Sequence, residues 1–159
     1  MSEERYENPH PTFNIDPSYA SHKYNKAAYK YEVAVSVYES KCVWINGPYK
    51  GTVHDITIFR NGLKAKILPG KKVIADKGYQ SSRDDEQMLS TPNPLDNKIT
   101  ANFKSRVRCC HESFNSRLKK FAALNTQFRH GFKKHELVFK MVCVIVQTQM
   151  DHGSPLFDP

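Results

Sequence analysis

A chain of 159 residues with 39% hydrophobic and 25% charged side chains has room for one domain with a modest core, and it is too apolar to be disordered. The formal net charge is +8, and residues 101–140 carry all of it, with ten Lys or Arg against the two acids Glu112 and Glu136. So localised an excess points to a polyanion partner, nucleic acid first, with a solvated helix face as the alternative. Cys42, Cys109, Cys110 and Cys143 form no CxxC spacing, which argues against a zinc site or a disulfide framework and for reduced thiols inside a cell. The polar first ten residues are no secretory signal. The apolar stretch 137–147 is too short to cross a bilayer and contains Lys140, so no membrane association is expected.

In chain order, residues 1–20 hold Pro9, Pro11 and Pro17 and read as an extended arm. In "YKYEVAVSVY", Tyr31, Val33, Val35 and Val37 alternate with Glu32, Ala34 and Ser36, the period of a strand. A polar break at residues 39–41 leads to "CVWINGPY", a second strand ended by Gly47-Pro48, so residues 30–49 should form an antiparallel hairpin. Trp44 alternates with Val43 and Ile45 and reads as core. Asp55 is placed to N-cap the helix "ITIFRNGLKAKIL", which Gly62 shortens or breaks, and Pro69-Gly70 is a turn. "KKVIAD" reads as a strand of the same sheet ending on Asp76. Residues 80–100 read as an irregular loop with a solvated acidic cluster at Asp84, Asp85 and Glu86.

From Ala101 a long helix is expected, because Phe103, Val107, Cys110, Phe114, Leu118 and Phe121 recur at three- and four-residue steps and should face the sheet. Glu112 falls about 160° from that stripe, among Arg108, Asn115 and Lys119. Residues 135–150, apolar on nearly every side, should be a buried helix, with a strand left open by their β-branched residues. His54, His130 and His135 read as surface or capping groups, and His111 as no joint ligand with Glu112, since adjacent helical residues diverge.

Asp76 and Glu112, with 35 residues between them, are the acids that position singles out. Two-metal phosphodiester chemistry needs clustered carboxylates, because hard oxygen ligands suit Mg²⁺ or Mn²⁺. Turn chemistry at a strand end and solvation of a helix Glu would explain the same pair. The surrounding words weigh further: "SHK" before the hairpin, "GP", "HDITIFR", "ADKGY" and then "RVRCCHESFNSRLK". In that combination, from about Pro11 to the C-terminus, the chain resembles the PIF/Harbinger-like DDE superfamily endonucleases.

The resemblance implies an α/β, ribonuclease-H-like mixed sheet of about five strands flanked by helices. It implies divalent-metal-dependent cutting of DNA and, for transposases, strand transfer. Asp76 matches the second catalytic and metal-binding acid, and Glu112 matches the third. Nothing matches the "DGTH"-like strand that carries the first acid, and Asp16, in a proline-rich arm, does not inherit its role. The expectation is therefore a catalytic domain lacking its first, central strand, so that the hairpin and the "KKVIAD" strand lose their shared neighbour. Residues 1–20 would be the arm, 21–150 the partial domain and 151–159 a tail. Cys109-Cys110 stands where the family shows a small residue and an Arg. Arg106, Arg108, Lys119 and Lys120 are the candidate DNA contacts, the DNA being transposon ends or a duplex, and a partner could supply a separate DNA-binding domain. An intracellular setting follows, nuclear for a eukaryotic transposase. Two functions remain open: a metal-dependent DNA nuclease or transposase with an incomplete set of acids, or an inactive remnant that binds nucleic acid.

Overall fold

β3 (Lys26–Val35) is the strand on which the rest of the sheet is assembled. The computed structural model describes residues 2–5, 20–21, 26–79, 85, 87–128 and 130–156. Along one edge β3 pairs antiparallel with β4 (Cys42–Lys50), Val33 lying opposite Ile45 and Ala34 opposite Trp44. This is the expected hairpin. Along the other edge it pairs antiparallel with β1 (Ser2–Arg5), Ser2 opposite Tyr31 and Arg5 opposite Ala28. β3 thus has a neighbour on both sides, which differs from the hairpin left without one. A short β2 (Ala20–Ser21) meets the start of β3.

β4 does not end at Gly47-Pro48 but bulges there and runs on to Lys50. Gly47 allows this. Its φ is +136°, and a Cβ on it would stand 2.8 Å from Cδ1 of Tyr31 and 2.9 Å from the Lys30 carbonyl oxygen.

Two layers cover the sheet. On one face, Tyr29, Tyr31 and Val33 pack against α2 (Lys98–Lys119), through Phe114 and Leu118, and α4 (Phe132–Asp151), through Phe139, Val142, Cys143, Val146 and Met150. Leu124 of the short α3 (Ala122–Asn125) joins them. The second layer holds α1 (Asp55–Asn61), a 3-10 turn (Leu63–Lys66) and a smaller core of Phe59, Ala75 and Leu89. Gly62 separates α1 from the 3-10 turn, the break its sequence suggests. The architecture is mixed α/β and compatible with a ribonuclease-H-like fold.

Several expectations change. "KKVIAD" contributes only β5 (Val73–Ile74), which pairs in parallel with β6 (Leu89–Ser90) and joins no described strand of the larger sheet. Its partner lies in a segment read as a loop. α2 starts at Lys98, where the Asn97 side chain accepts from the Thr100 amide at 2.8 Å. Its stripe buries Cys110, Phe114 and Leu118, but Phe103 is 44% exposed and Val107 only half-buried, because the sheet ends before them. Phe121 is half-buried and caps α3. α4 is not enclosed: Leu137, Met141, Val144 and Ile145 are exposed on the side away from the core. No helix among the described residues is long and apolar enough to cross a membrane.

Candidate active site

β5 ends at Ile74, and Asp76 follows it into a 3-10 turn (Lys77–Tyr79). The Lys77 amide donates to Asp76 Oδ1 at 2.8 Å, so the turn fixes one carboxylate oxygen, while the side chain stays 75% exposed. α2 packs against β5, and Arg108 of α2 brings its Nη1 to 3.5 Å from the same Asp76 oxygen. Glu112 stands four residues, one turn, after Arg108, and residues so spaced lie about 6 Å apart on one helix face. Asp76 therefore sits beside the face that carries Glu112. Glu112 is exposed and makes no hydrogen bond or ion pair among the described residues.

His111 has a separate task. Its Nε2 lies 3.0 Å from the Val33 carbonyl, which can only accept, so that nitrogen carries the proton. Nδ1 then accepts from Asn115 at 3.3 Å. Burial pushes the imidazole pKa down to about 4, which keeps the ring neutral. His111 thus pins α2 to β3 near the end of the strand and sets the rotation that presents Arg108 and Glu112.

Asp55 is not the cap of α1. His54 occupies the N-cap without a side-chain bond, and Asp55 begins the helix with its carboxylate turned to Lys30 Nζ at 3.4 Å. A Cβ on Gly78 would meet its other oxygen at 3.8 Å, which places Asp55 beside the Asp76 turn. Tyr79 reports the same gathering: its pKa is raised by burial first, then by Asp55, Glu32 and Asp76. Glu32, unremarked in the strand alternation, is a buried acid that accepts from Trp44 Nε1 at 2.8 Å and the Leu63 amide at 3.2 Å. A lone acid among apolar residues of a strand, two residues out of register with the only Trp, was the available signal. Asp16, Asp84 and Glu86 lie outside the described residues.

Asp85 of the acidic cluster is not solvated. It is fully buried, with Arg60 Nε and Nη2 at 3.0 and 2.7 Å from one oxygen and Lys64 Nζ at 2.7 Å from the other. His135, read as a surface group, is buried against Tyr29, Tyr31 and Phe128.

The basic segment divides. Lys104 is buried on Asp96 and the Thr91 carbonyl, and Arg117 holds the Ser154 and Pro155 carbonyls, so both serve the fold. Arg106, Lys119 and Lys120 make no ion pair with any described residue and stay available to a polyanion.

The family model of the DDE superfamily endonucleases matches residues 3–147, nearly the whole chain. The chain belongs to the DDE superfamily endonucleases. It is similar to a probable transposase for insertion sequence element IS702 from Microchaete diplosiphon, with 32% identity over 113 residues that cover 65% of this chain and 40% of that relative. The match therefore spans less than half of the relative's length. No solved structure matches the chain.

DDE superfamily endonucleases generally use divalent metal ions. The residues present fit such an ion in kind: Asp76 and Glu112 are exposed carboxylates on adjoining elements, and hard oxygens suit a cation that keeps part of its water shell. They do not form a closed cage, since no group of three or more His, Cys, Asp or Glu is placed to hold a metal among the described residues.

Proposed function

We propose that this DDE superfamily endonuclease is of the PIF/Harbinger-like type, and that it supplies two carboxylates, Asp76 and Glu112, to a Mg²⁺- or Mn²⁺-dependent site acting on DNA. The observation that carries the reading is the contact of Asp76 with α2 at Arg108, one turn from Glu112. When bound, the metal ions would stabilise the attacking and leaving oxygens of the phosphodiester. The protein's own part is positional. The Lys77 amide orients Asp76, and His111 fixes the rotation of α2. Arg106, Arg108, Lys119 and Lys120 would hold the DNA backbone through charge and hydrogen bonds to phosphate.

Two carboxylates bind a hydrated divalent ion loosely, and catalysis needs a third to fix both ions. Misplacing groups near the reacting atoms costs on the order of a hundredfold in rate. On this reading the 159 residues bind Mn²⁺ weakly, bind duplex DNA at low salt, and cut little or not at all until a further acid completes the site. DNA binding without cleavage is the second reading, favoured by the absence of a three-acid group among the described residues.

Supercoiled plasmid incubated with Mn²⁺ tests both. Little or no nicking, together with Mn²⁺ binding that Asp76→Ala removes, is the expected result. Robust nicking abolished by Asp76→Ala would show that another acid already completes the set, and Asp55 is the first to try. Absence of duplex binding at low salt would sink the assignment of the basic residues.

A further inference from the structure

The Arg108–Asp76 pair is built loosely. A well-made guanidinium–carboxylate pair is bidentate, at about 2.7–2.9 Å. This one is a single contact at 3.5 Å from Nη1, and Arg108 Nε is buried with no partner. The carboxylate it meets is exposed, while Glu112, one turn along the same helix, goes unpaired among the described residues. Arg108 is thus a cation parked against the acid, holding it in a geometry that either partner can leave at small cost.

We propose that Arg108 is a displaceable counter-ion of Asp76: it neutralises the carboxylate in the metal-free chain and exchanges it for a DNA phosphate when a divalent cation binds. This rests on the reading of Asp76 as a metal ligand. Asp76 Oδ1 cannot face both a divalent cation and a guanidinium without repulsion between the two, so metal entry drives Arg108 off. A phosphate that draws Arg108 away in turn frees Asp76. The two ligands therefore favour each other's binding, and the coupling is reciprocal by linkage. Arg108 acts in this as a positioning residue, and its effect is read in affinities rather than in turnover.

The test titrates the full chain with Mn²⁺ and follows free Mn²⁺ by electron paramagnetic resonance, without DNA. R108Q should bind Mn²⁺ about two- to fivefold more tightly than wild type, the range expected for losing one exposed competing ion pair. K98Q makes the same charge change on the same helix, at an exposed residue with no described ion pair and outside the proposed DNA contacts, and should leave the affinity unchanged. Equal tightening in K98Q and R108Q would reduce the effect to net charge and overturn the proposal, as would unchanged or weaker binding in R108Q. R108M, which keeps the packed stem, replaces R108Q if circular dichroism shows that variant unfolded. D76N separates the two levels. If it binds Mn²⁺ as wild type does, Asp76 is no ligand and the proposed function fails together with the exchange. If D76N loses Mn²⁺ while R108Q does not tighten, only the exchange fails. Adding a short duplex should tighten Mn²⁺ binding more in wild type than in R108Q, and an equal gain in both would also overturn it.

Discussion

Tyr31 Oη and His135 Nδ1 lie 2.7 Å apart, a buried bond that ties the central strand to the last helix across 104 residues. Nε2 of the same ring is buried without a partner, and burial pushes the imidazole pKa down from 6.5 to about 4. His111 is lowered to about 4 as well. A group whose folded pKa lies below its unfolded value takes up its proton first in the unfolded chain. The stability that these two rings contribute is therefore complete above about pH 6.5 and drains away as the pH falls toward 4. Each shift corresponds to about 3 kcal/mol, against a total of about 5–15 kcal/mol for a domain. Melting curves followed by circular dichroism should show the midpoint dropping steeply between pH 6.5 and 4.5. His135→Gln, which cannot titrate, should flatten part of that slope. A midpoint constant over this range would contradict the buried neutral rings.

Asp85 gives a second acid limb at lower pH. Hydrogen bonds from Arg60 and Lys64 hold its carboxyl down to about 2, so its contribution is present above about pH 4 and is lost as the pH falls through 2. Asp85→Asn should lower the melting temperature at pH 7 by about 5 °C, since the two cations are part-exposed and can turn to water. The gap between mutant and wild type should narrow in acid, which scans at pH 7 and pH 3 would reveal.

Glycine substitutions should separate sharply. Gly47→Ala combines a strained φ with contacts to Tyr31 and the Lys30 carbonyl, and should cost about 2–3 kcal/mol in urea unfolding. Gly62→Ala would bring a methyl 2.2 Å from Asn46 Nδ2 and 2.7 Å from Glu32 Oε2, displacing the buried acid from its partners, with a comparable loss. Gly131→Ala meets nothing within 4 Å and should cost less than either, about 0.5–1 kcal/mol from its N-cap position.

Lysines of equal charge should behave unequally. Lys119→Ala or Lys120→Ala should weaken duplex binding and reduce the salt dependence by about one ion each, with melting temperature unchanged. Lys104→Ala should instead lower the melting temperature, because it leaves Asp96 and the Thr91 carbonyl without their ammonium partner, and should spare the salt slope. Fluorescence anisotropy between 50 and 200 mM salt distinguishes the two classes. Identical slopes in all three variants would show that binding uses neither Lys119 nor Lys120.

The hairpin was legible because alternation of Tyr31, Val33 and Val35 is a local pattern, and the polar position of Glu112 because helical angles add up along one element. Distant partners were not legible. Asp85 resembles any loop acid until Arg60 and Lys64 are seen to converge on it from 25 and 21 residues away. His135 resembles a surface histidine until the aromatic rings of β3 enclose it. Asp55 carries a cap's sequence position, yet Lys30, a cation from a neighbouring strand, claims its carboxylate. β5 failed as a strand of the main sheet because two residues carry little pairing preference of their own, and their partner is equally short.

The stacking of Tyr31 on Phe139, with ring centroids 3.7 Å apart, has a consequence for synthesis. The side of the sheet that carries Tyr29, Tyr31 and Val33 can close only when α4 has left the ribosome, more than a hundred residues after the strand that waits for it. At about 5–20 residues per second that interval is roughly 5–20 s. Hairpins form in about 1–10 μs, so β3 and β4 are paired long before their cover arrives. During that delay the nascent chain displays an aromatic strand face that still lacks α4, an early client for a chaperone and a point at which a stalled ribosome would leave an aggregating fragment.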